Sequence, residues 1–180
     1  MTAGVARGFV LLDLRRWETA ARVLTQTKGI SDTSYSGDNT VEAMLAAACA
    51  RLGRVDEARR LLARSESLSG EAPSLTARFA LGQARAHLAW AEGDWTTAWA
   101  AFEQVARPME QVGFRWFLGY IWREWAESYL AHGGVEDISS AQQILERALE
   151  LYQACGMNAH AGRVQTRLDE IGHLIPTNAK

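Results

Sequence analysis

Apolar and polar positions follow one another along this chain with the period of an α-helix. Apolar residues recur three and four positions apart over most of the sequence, and isolated glycines separate the periodic segments. The pattern predicts an all-α fold with no strands. Nine helices are expected, at residues 3–14, 17–27, 40–52, 55–66, 74–92, 95–111, 114–132, 139–154 and 158–171.

The predicted helix ends carry residues with known positional preferences. Thr40, Ser74 and Asn158 are candidate N-caps, because their side chains can accept a hydrogen bond from an unpaired amide at a helix start. Pro108 is expected to bend or end its helix, since proline removes a backbone donor. The longest irregular segment, 29–39, is rich in Gly, Ser, Asp and Thr, and we expect it to be mobile.

One pattern of small and bulky residues recurs four times in register, which indicates internal repeats. The first helix of each copy carries a small residue, and seven positions later the last three copies have a glycine where the chain must reverse. The first copy has Arg15 at that position. The small residues are Gly8, Ala46, Ala86 and Ala126, and the glycines are Gly53, Gly93 and Gly133.

The second helix of each copy carries its own markers. A bulky residue stands two positions after the turn in the first three copies, and an alanine follows three positions later: Trp17 and Ala20, Val55 and Ala58, Trp95 and Ala98. The fourth copy reaches Ile138 and Ala141 only after about three extra residues, which we assign to its turn. Small residues at these places let two antiparallel helices approach closely.

This pattern resembles the tetratricopeptide repeat (TPR) over residues 6–155. The fourth copy is the clearest, with Trp122, Trp125, Ala126 and Tyr129 at the large, large, small and aromatic positions of the motif. The marker alanines lie 38, 40 and 43 residues apart, whereas the usual repeat has about 34. Extended repeats of this kind, and the segment 144–156 in particular, are similar to the C-terminal regions of bacterial signalling ATPases, ATPase-linked cyclases and maltose-activator-like transcription regulators.

The resemblance implies a right-handed superhelical stack of antiparallel helix pairs. We predict one TPR-like domain over residues 1–175, with repeats at 3–28, 40–68, 74–111 and 114–155, a capping helix at 158–171 and a tail at 176–180. No cap precedes the first repeat, so we expect the polypeptide to be the C-terminal piece of a longer protein. The same uncapped flank would expose Phe9, Leu11 and Leu12 and could support a homodimer.

Charge and composition exclude several classes of partner. The net charge is −2 and the pI is near 6.1, so no overall positive field attracts nucleic acid or an anionic membrane. No apolar run approaches the ~18 residues of a transmembrane helix, and the N-terminal sequence lacks the order of a signal peptide. Cys49 and Cys155 have no C-x-x-C spacing, and we expect two reduced, buried thiols in a cytoplasmic protein.

The sequence contains no pattern that predicts catalysis. His87, His132, His160 and His173 lack the spacing of a metal pair, and the isolated glycines form no phosphate-binding loop. There is also no G-x-S-x-G or Cys–His arrangement. We therefore expect a protein that is not an enzyme and that needs neither a metal nor a cofactor.

The first helices of the repeats suggest a binding groove. A projection at 100° per residue places Trp116, Tyr120, Arg123 and Glu127 together, opposite a core face that includes Phe114. The corresponding positions of earlier helices hold Gln83, His87, Trp90 and Arg51. Aromatic side chains beside arginine have the composition of an interface hot spot. The predicted partner-binding groove comprises Arg51, Gln83, His87, Trp90, Trp116, Tyr120, Arg123 and Glu127.

Two interpretations of that groove stay open. The first is a non-catalytic module that binds a peptide or partner protein, and the second is an effector-sensing segment of a larger signalling ATPase or transcription regulator. A purely structural role is expected for most of the tryptophans, namely Trp17, Trp95, Trp122 and Trp125. A chaperone co-adaptor is disfavoured, because Val5, Phe9, Ala43 and Ala47 stand where a carboxylate clamp needs Lys and Asn.

Overall fold

The computed structural model describes residues 3–31, 40–69 and 73–173. Within these ranges there is no strand, so the prediction of an all-α fold is confirmed. All the predicted helices are present, with ends that agree to within four residues. They are α1 (Ala3–Asp13), α2 (Trp17–Ser31), α3 (Thr40–Arg51), α4 (Val55–Leu68), α5 (Leu75–Glu92), α6 (Trp95–Val112), α7 (Arg115–His132), α8 (Val135–Ala154) and α9 (Asn158–Gly172).

The helices form two compact units, Met1–Ala101 and Phe102–Lys180, whose boundary lies inside α6. In the first unit α1 packs on α2, and α3 packs on α2, α4 and α5. In the second unit α8 packs between α7 and α9. Consecutive helices thus form the predicted pairs α1–α2, α3–α4 and α7–α8. The single domain at 1–175 and the repeat boundaries within it stay predictions.

The turns between paired helices depend on residues with left-handed backbone conformation. Gly53, Gly93 and Gly133 have φ values of 74°, 77° and 85°, as their repeat position predicts. Arg15 occupies the same place in the first copy and adopts φ 56°. Among the described residues it alone has a positive φ without being glycine, and this conformation costs an L-residue roughly 1–2 kcal/mol.

The fourth turn differs from its prediction. Helix α8 begins at Val135, two residues after Gly133, so Val135 occupies the place of Trp17, Val55 and Trp95 in the other copies. The three extra residues are the first turn of α8 and do not lengthen the loop. Asp137 stabilises this turn, because its carboxylate accepts a hydrogen bond from the Gly134 amide at 2.8 Å.

The predicted helix-end residues have mixed outcomes. Ser74 caps α5 by accepting from the Ala77 amide at 3.1 Å, as predicted. Asn158 is not a cap, because the N-cap of α9 is Met157 and Asn158 is already helical. Thr40 is the first residue of α3, and the residue before it lies outside the described ranges.

Two other predictions concern the interior and the end of helices. Pro108 lies inside α6, which continues to Val112. The segment 29–39 was predicted to be irregular, but α2 extends through Ser31, and residues 32–39 lie outside the described ranges.

Small residues occupy the closest helix contacts, as the repeat predicts. The second-helix alanines are completely buried, and so are the first-helix residues Ala86 and Ala126. The large side chains Leu24, Phe102 and Leu145 lie four residues beyond three of these alanines and are also buried. Apolar burial at this density is the main contribution to the stability of the fold. The second-helix alanines are Ala20, Ala58, Ala98 and Ala141.

The prediction that Phe9, Leu11 and Leu12 are exposed on α1 is wrong. Phe9, Leu11 and Leu12 are buried, and the Phe9 ring lies 5.8 Å from that of Phe79 in α5. They are covered because α1 contacts both α2 and α3. Val10 and Leu14 are exposed instead. A homodimer through α1 stays a prediction, but the three buried residues cannot form its contact surface.

The two cysteines differ in their surroundings. Cys49 is buried, as predicted, whereas Cys155 at the end of α8 is half-buried and lies 3.7 Å from an Arg115 guanidinium nitrogen. Burial, and after it the nearby Glu57 carboxylate, raises the pKa of the Cys49 thiol to about 11. Cys49 is therefore a protonated thiol at neutral pH.

This difference predicts selective alkylation. At pH 8 the Cys49 thiolate is about a hundredfold scarcer than that of an ordinary thiol, and burial slows its reaction further. Iodoacetamide should therefore modify Cys155 in the folded chain and leave Cys49 unmodified, as measured by peptide mass spectrometry over time. The Cys155→Ser variant is the control and should take up no label until urea unfolds it. Equal labelling of both residues in the folded chain would contradict the burial of Cys49.

Candidate protein-binding surface

Four of the eight predicted groove residues lie in the first unit. Arg51 is the last residue of α3, and Gln83, His87 and Trp90 lie at positions i, i+4 and i+7 of α5, on one face of that helix. Because α3 packs on α5, the Arg51 guanidinium carbon lies 3.5 Å from the centre of the Trp90 ring. Arg51 and Trp90 therefore lie together inside this unit, whereas their role as a partner-binding groove stays a prediction.

Trp17 belongs to the same cluster, although the sequence pattern assigned it to the core. The Arg51 guanidinium lies 5.5 Å from the Trp17 ring centre, and the His87 ring lies 6.0 Å from Trp17 and 5.8 Å from Trp90. We call Trp17, Arg51, His87 and Trp90 the first-unit cluster. Trp17 stands two residues after the Arg15 turn, at the start of α2, and nothing in the sequence pattern distinguished it from a core residue.

The first-unit cluster is layered from the interior to the surface. Gln83 and His87 are completely buried, and Trp90 is 9 % exposed. Arg51 and Trp17 are half-buried, so they are the members that a partner would meet first. A guanidinium held over two indoles is stabilised by cation–π attraction. Gln83 and His87 are the buried residues on this face of α5.

The charge around His87 is positive. The pKa of His87 is well below its ordinary value of 6.5, first because the ring is completely buried and then because Arg51 and Arg15 lie nearby. The imidazole is therefore neutral at physiological pH. Two guanidinium groups therefore lie near a neutral, buried aromatic ring.

The other four predicted residues lie on α7 in the second unit. Trp116 and Tyr120 stack with ring centres 6.4 Å apart, and Phe117 meets Trp116 edge-on at 4.7 Å. Phe114 stacks on Phe117 at 5.6 Å. We call these four residues the second-unit aromatic cluster. Phe114 was expected in the core but is 42 % exposed, because it is the N-cap residue that precedes the helix.

The polar members of α7 lie deeper than a groove surface requires. Tyr120 and Arg123 are buried, whereas Trp116 is half-buried. The Glu127 carboxylate receives two hydrogen bonds from Arg167 of α9, at 2.8 and 3.1 Å. Glu127 therefore joins α7 to α9. Of the predicted residues of this unit, Trp116 is a partly accessible ring, and Phe114 and Phe117, which were not predicted, lie beside it in the second-unit aromatic cluster.

Two further features of the described residues bear on function. They contain no group of three or more His, Cys, Asp or Glu side chains that could hold a metal ion. None of the helices in the described ranges is long and apolar enough to cross a membrane.

Comparisons with known proteins bear on the fold. No protein-family model matches the sequence, and no curated protein matches it. The chain superposes with a TM-score of 0.68 on a Signal Transduction ATPase with Numerous Domains from Pyrococcus horikoshii that has a tetratricopeptide repeat sensor. The alignment covers 96 % of this chain at 15 % identity. The chain has a TPR-like fold.

The TPR-like chain spans 26 % of the length of that ATPase. Two crystal structures of nearly identical TPR-like repeats from a putative kinesin light chain of Podospora anserina are also similar, with 18 % identity and TM-scores of 0.47 and 0.46. These alignments cover 94 % and 98 % of this chain and 92 % and 96 % of those chains. The resemblance to TPR regions of signalling ATPases that the sequence predicts is confirmed at the level of fold.

Proposed function

We propose that this chain is a non-catalytic TPR-like module that binds a peptide or partner protein. One observation carries the proposal: Arg51 lies across the Trp90 and Trp17 rings at the partly exposed surface of the first unit. Arginine and tryptophan are the residues most enriched at the energetic centres of protein interfaces.

The geometry favours a partner that presents an acidic or aromatic side chain to the first-unit cluster. Arg51 is already oriented by the indole beneath it, so binding orders few additional side-chain bonds. Trp90 is almost completely buried, and this desolvated floor strengthens an ion pair formed above it. The second-unit aromatic cluster is a separate apolar contact surface, with Phe114 as its most exposed ring.

A second candidate is an effector-sensing segment of a larger signalling protein. The observation that favours it is the Pyrococcus ATPase, whose repeat region is named a sensor and of which this chain corresponds to about a quarter. Under this proposal the chain would report a small effector to another domain. Stabilisation of the isolated chain by a metabolite, without peptide binding, would favour this candidate.

The interaction proposal is tested with a random-peptide display library selected on the purified chain. Enriched peptides should lose about thirtyfold in affinity when Arg51 is replaced by alanine, the loss typical of a hot-spot residue. Arg60→Ala is the matched control, since Arg60 is exposed on α4 and should leave binding unchanged. Circular dichroism of each variant confirms an unaltered helix content. Peptides that bind both variants equally, or a selection without enrichment, would overturn the proposal.

A further inference from the structure

A small cavity in the first unit shares no lining residue with the first-unit cluster. It has a volume of about 220 Å³ and is bounded by α2, α3 and α4. It lies among residues that neither the repeat pattern nor the predicted groove assigned to function. Its lining residues are Glu18, Ala21, Arg22, Thr25, Gln26, Leu45, Cys49, Arg54 and Glu57.

The cavity has an apolar floor and a charged rim. Ala21, Leu45 and Cys49 form the floor, and all three are buried. The rim carries two carboxylates and two guanidinium groups, contributed by α2 and by the start of α4. A shallow apolar floor beneath a few convergent polar groups is the usual composition of a small-molecule site.

One pair of rim charges is satisfied within the protein. The same guanidinium nitrogen of Arg54 donates to both Glu18 carboxylate oxygens, at 2.9 and 3.0 Å. This pair joins α2 to the start of α4 and fixes one edge of the cavity. It leaves Arg22 on α2 and Glu57 on α4 as the charges available to a ligand.

Arg22 and Glu57 form no ion pair with a residue in the described ranges. Glu57 is half-buried and interacts with the Cys49 thiol at the floor, whereas Arg22 is exposed at the mouth. Arg22 lies on α2 and Glu57 on α4, and both line the cavity. A cation and an anion that line one cavity complement a ligand that itself carries both charges.

We propose that this cavity binds a free amino acid. The ligand's carboxylate pairs with Arg22, its ammonium group pairs with Glu57, and its side chain lies against Ala21, Leu45 and Cys49. The volume is below the ~300–1,000 Å³ of drug-sized sites, which favours a small zwitterion over a larger ligand. This site is independent of the proposed protein-binding surface.

The experiment is isothermal titration calorimetry of the full chain with each common amino acid at millimolar concentration. We expect saturable binding of at least one, and about a tenfold loss of affinity in Arg22→Gln and in Glu57→Gln, because each variant removes one charged hydrogen bond. Arg60→Gln and Glu150→Gln are matched controls on exposed helix surface and should bind as the wild type does.

Acetate and ethylamine are the single-charge probes. Either of them alone should bind at least tenfold more weakly than the amino acid, since each can pair with only one of the two charges. The proposal is overturned if no amino acid binds, if binding survives both substitutions, or if one single-charge probe binds as tightly as the zwitterion. None of these results affects peptide selection through Arg51, so the two proposals succeed or fail separately.

Discussion

Gly119→Ala is expected to destabilise the chain by about 1–3 kcal/mol, the cost of inserting a methyl group into a packed core. A Cβ atom at position 119 would lie 2.5 Å from Cζ and 2.7 Å from Oη of Tyr152. Tyr152 is completely buried, and its ring lies 5.0 Å from the His160 ring, so it has little room to move. The ~1 kcal/mol that alanine normally gains over glycine in a helix does not offset this overlap.

Gly162→Ala is the matched control, with the opposite expected sign. Gly162 lies inside α9, and an added Cβ would meet no atom within 4 Å. Alanine should therefore stabilise the chain by about 0.5–1 kcal/mol. Urea unfolding followed by circular dichroism measures both variants. Stabilisation by both substitutions would contradict the close packing of α7 against Tyr152 of α8.

The second large effect is a loss of stability in acid that depends on His87. Its folded-state pKa is well below the unfolded value of 6.5, so below pH 6.5 the unfolded chain binds a proton that the folded chain does not. Stability contributed at neutral pH is then lost as the pH falls from 6.5 towards the folded-state pKa. The loss is on the order of 1 kcal/mol by pH 5.5.

This prediction is measured as a difference between variants. Urea unfolding at pH 7.5 and pH 5.5 should show a smaller pH dependence for His87→Gln than for the wild type, by an amount on the order of 1 kcal/mol. His173→Gln is the control, because His173 is exposed at the end of α9 and should keep the wild-type dependence. An unchanged dependence in His87→Gln would mean that the buried imidazole accepts a proton in the folded state.

The sequence predicted the helices well because glycine and apolar spacing act locally. Gly53, Gly93 and Gly133 mark turns through their own backbone preference, and no distant contact is needed to recognise them. The prediction failed at the fourth turn, where the repeat count was used in place of these local signals. The repeat pattern counted residues from Ala141, whereas the helix start is set locally by Val135 and by the Asp137 carboxylate on the Gly134 amide.

The site was predicted less completely, because burial depends on which helices cover a face. Projection correctly grouped Gln83, His87 and Trp90, but it could not show that the first two are completely buried. It also could not show that Arg167, 40 residues further along the chain, pairs with Glu127. Trp17 joined the cluster through the return of α2 beside α3, which follows from tertiary packing alone.

Arg15 affects the chain in two opposite ways: its left-handed backbone costs stability, and its guanidinium contributes positive charge near His87. A glycine at its position would relax the left-handed turn, yet it would also remove one of the two positive charges near His87. The other three copies have glycine at the equivalent position. A consensus redesign that makes the four copies alike would place glycine at position 15. The redesigned chain would be more stable, but its first-unit cluster would carry less positive charge. Position 15 should therefore keep its arginine in such a design.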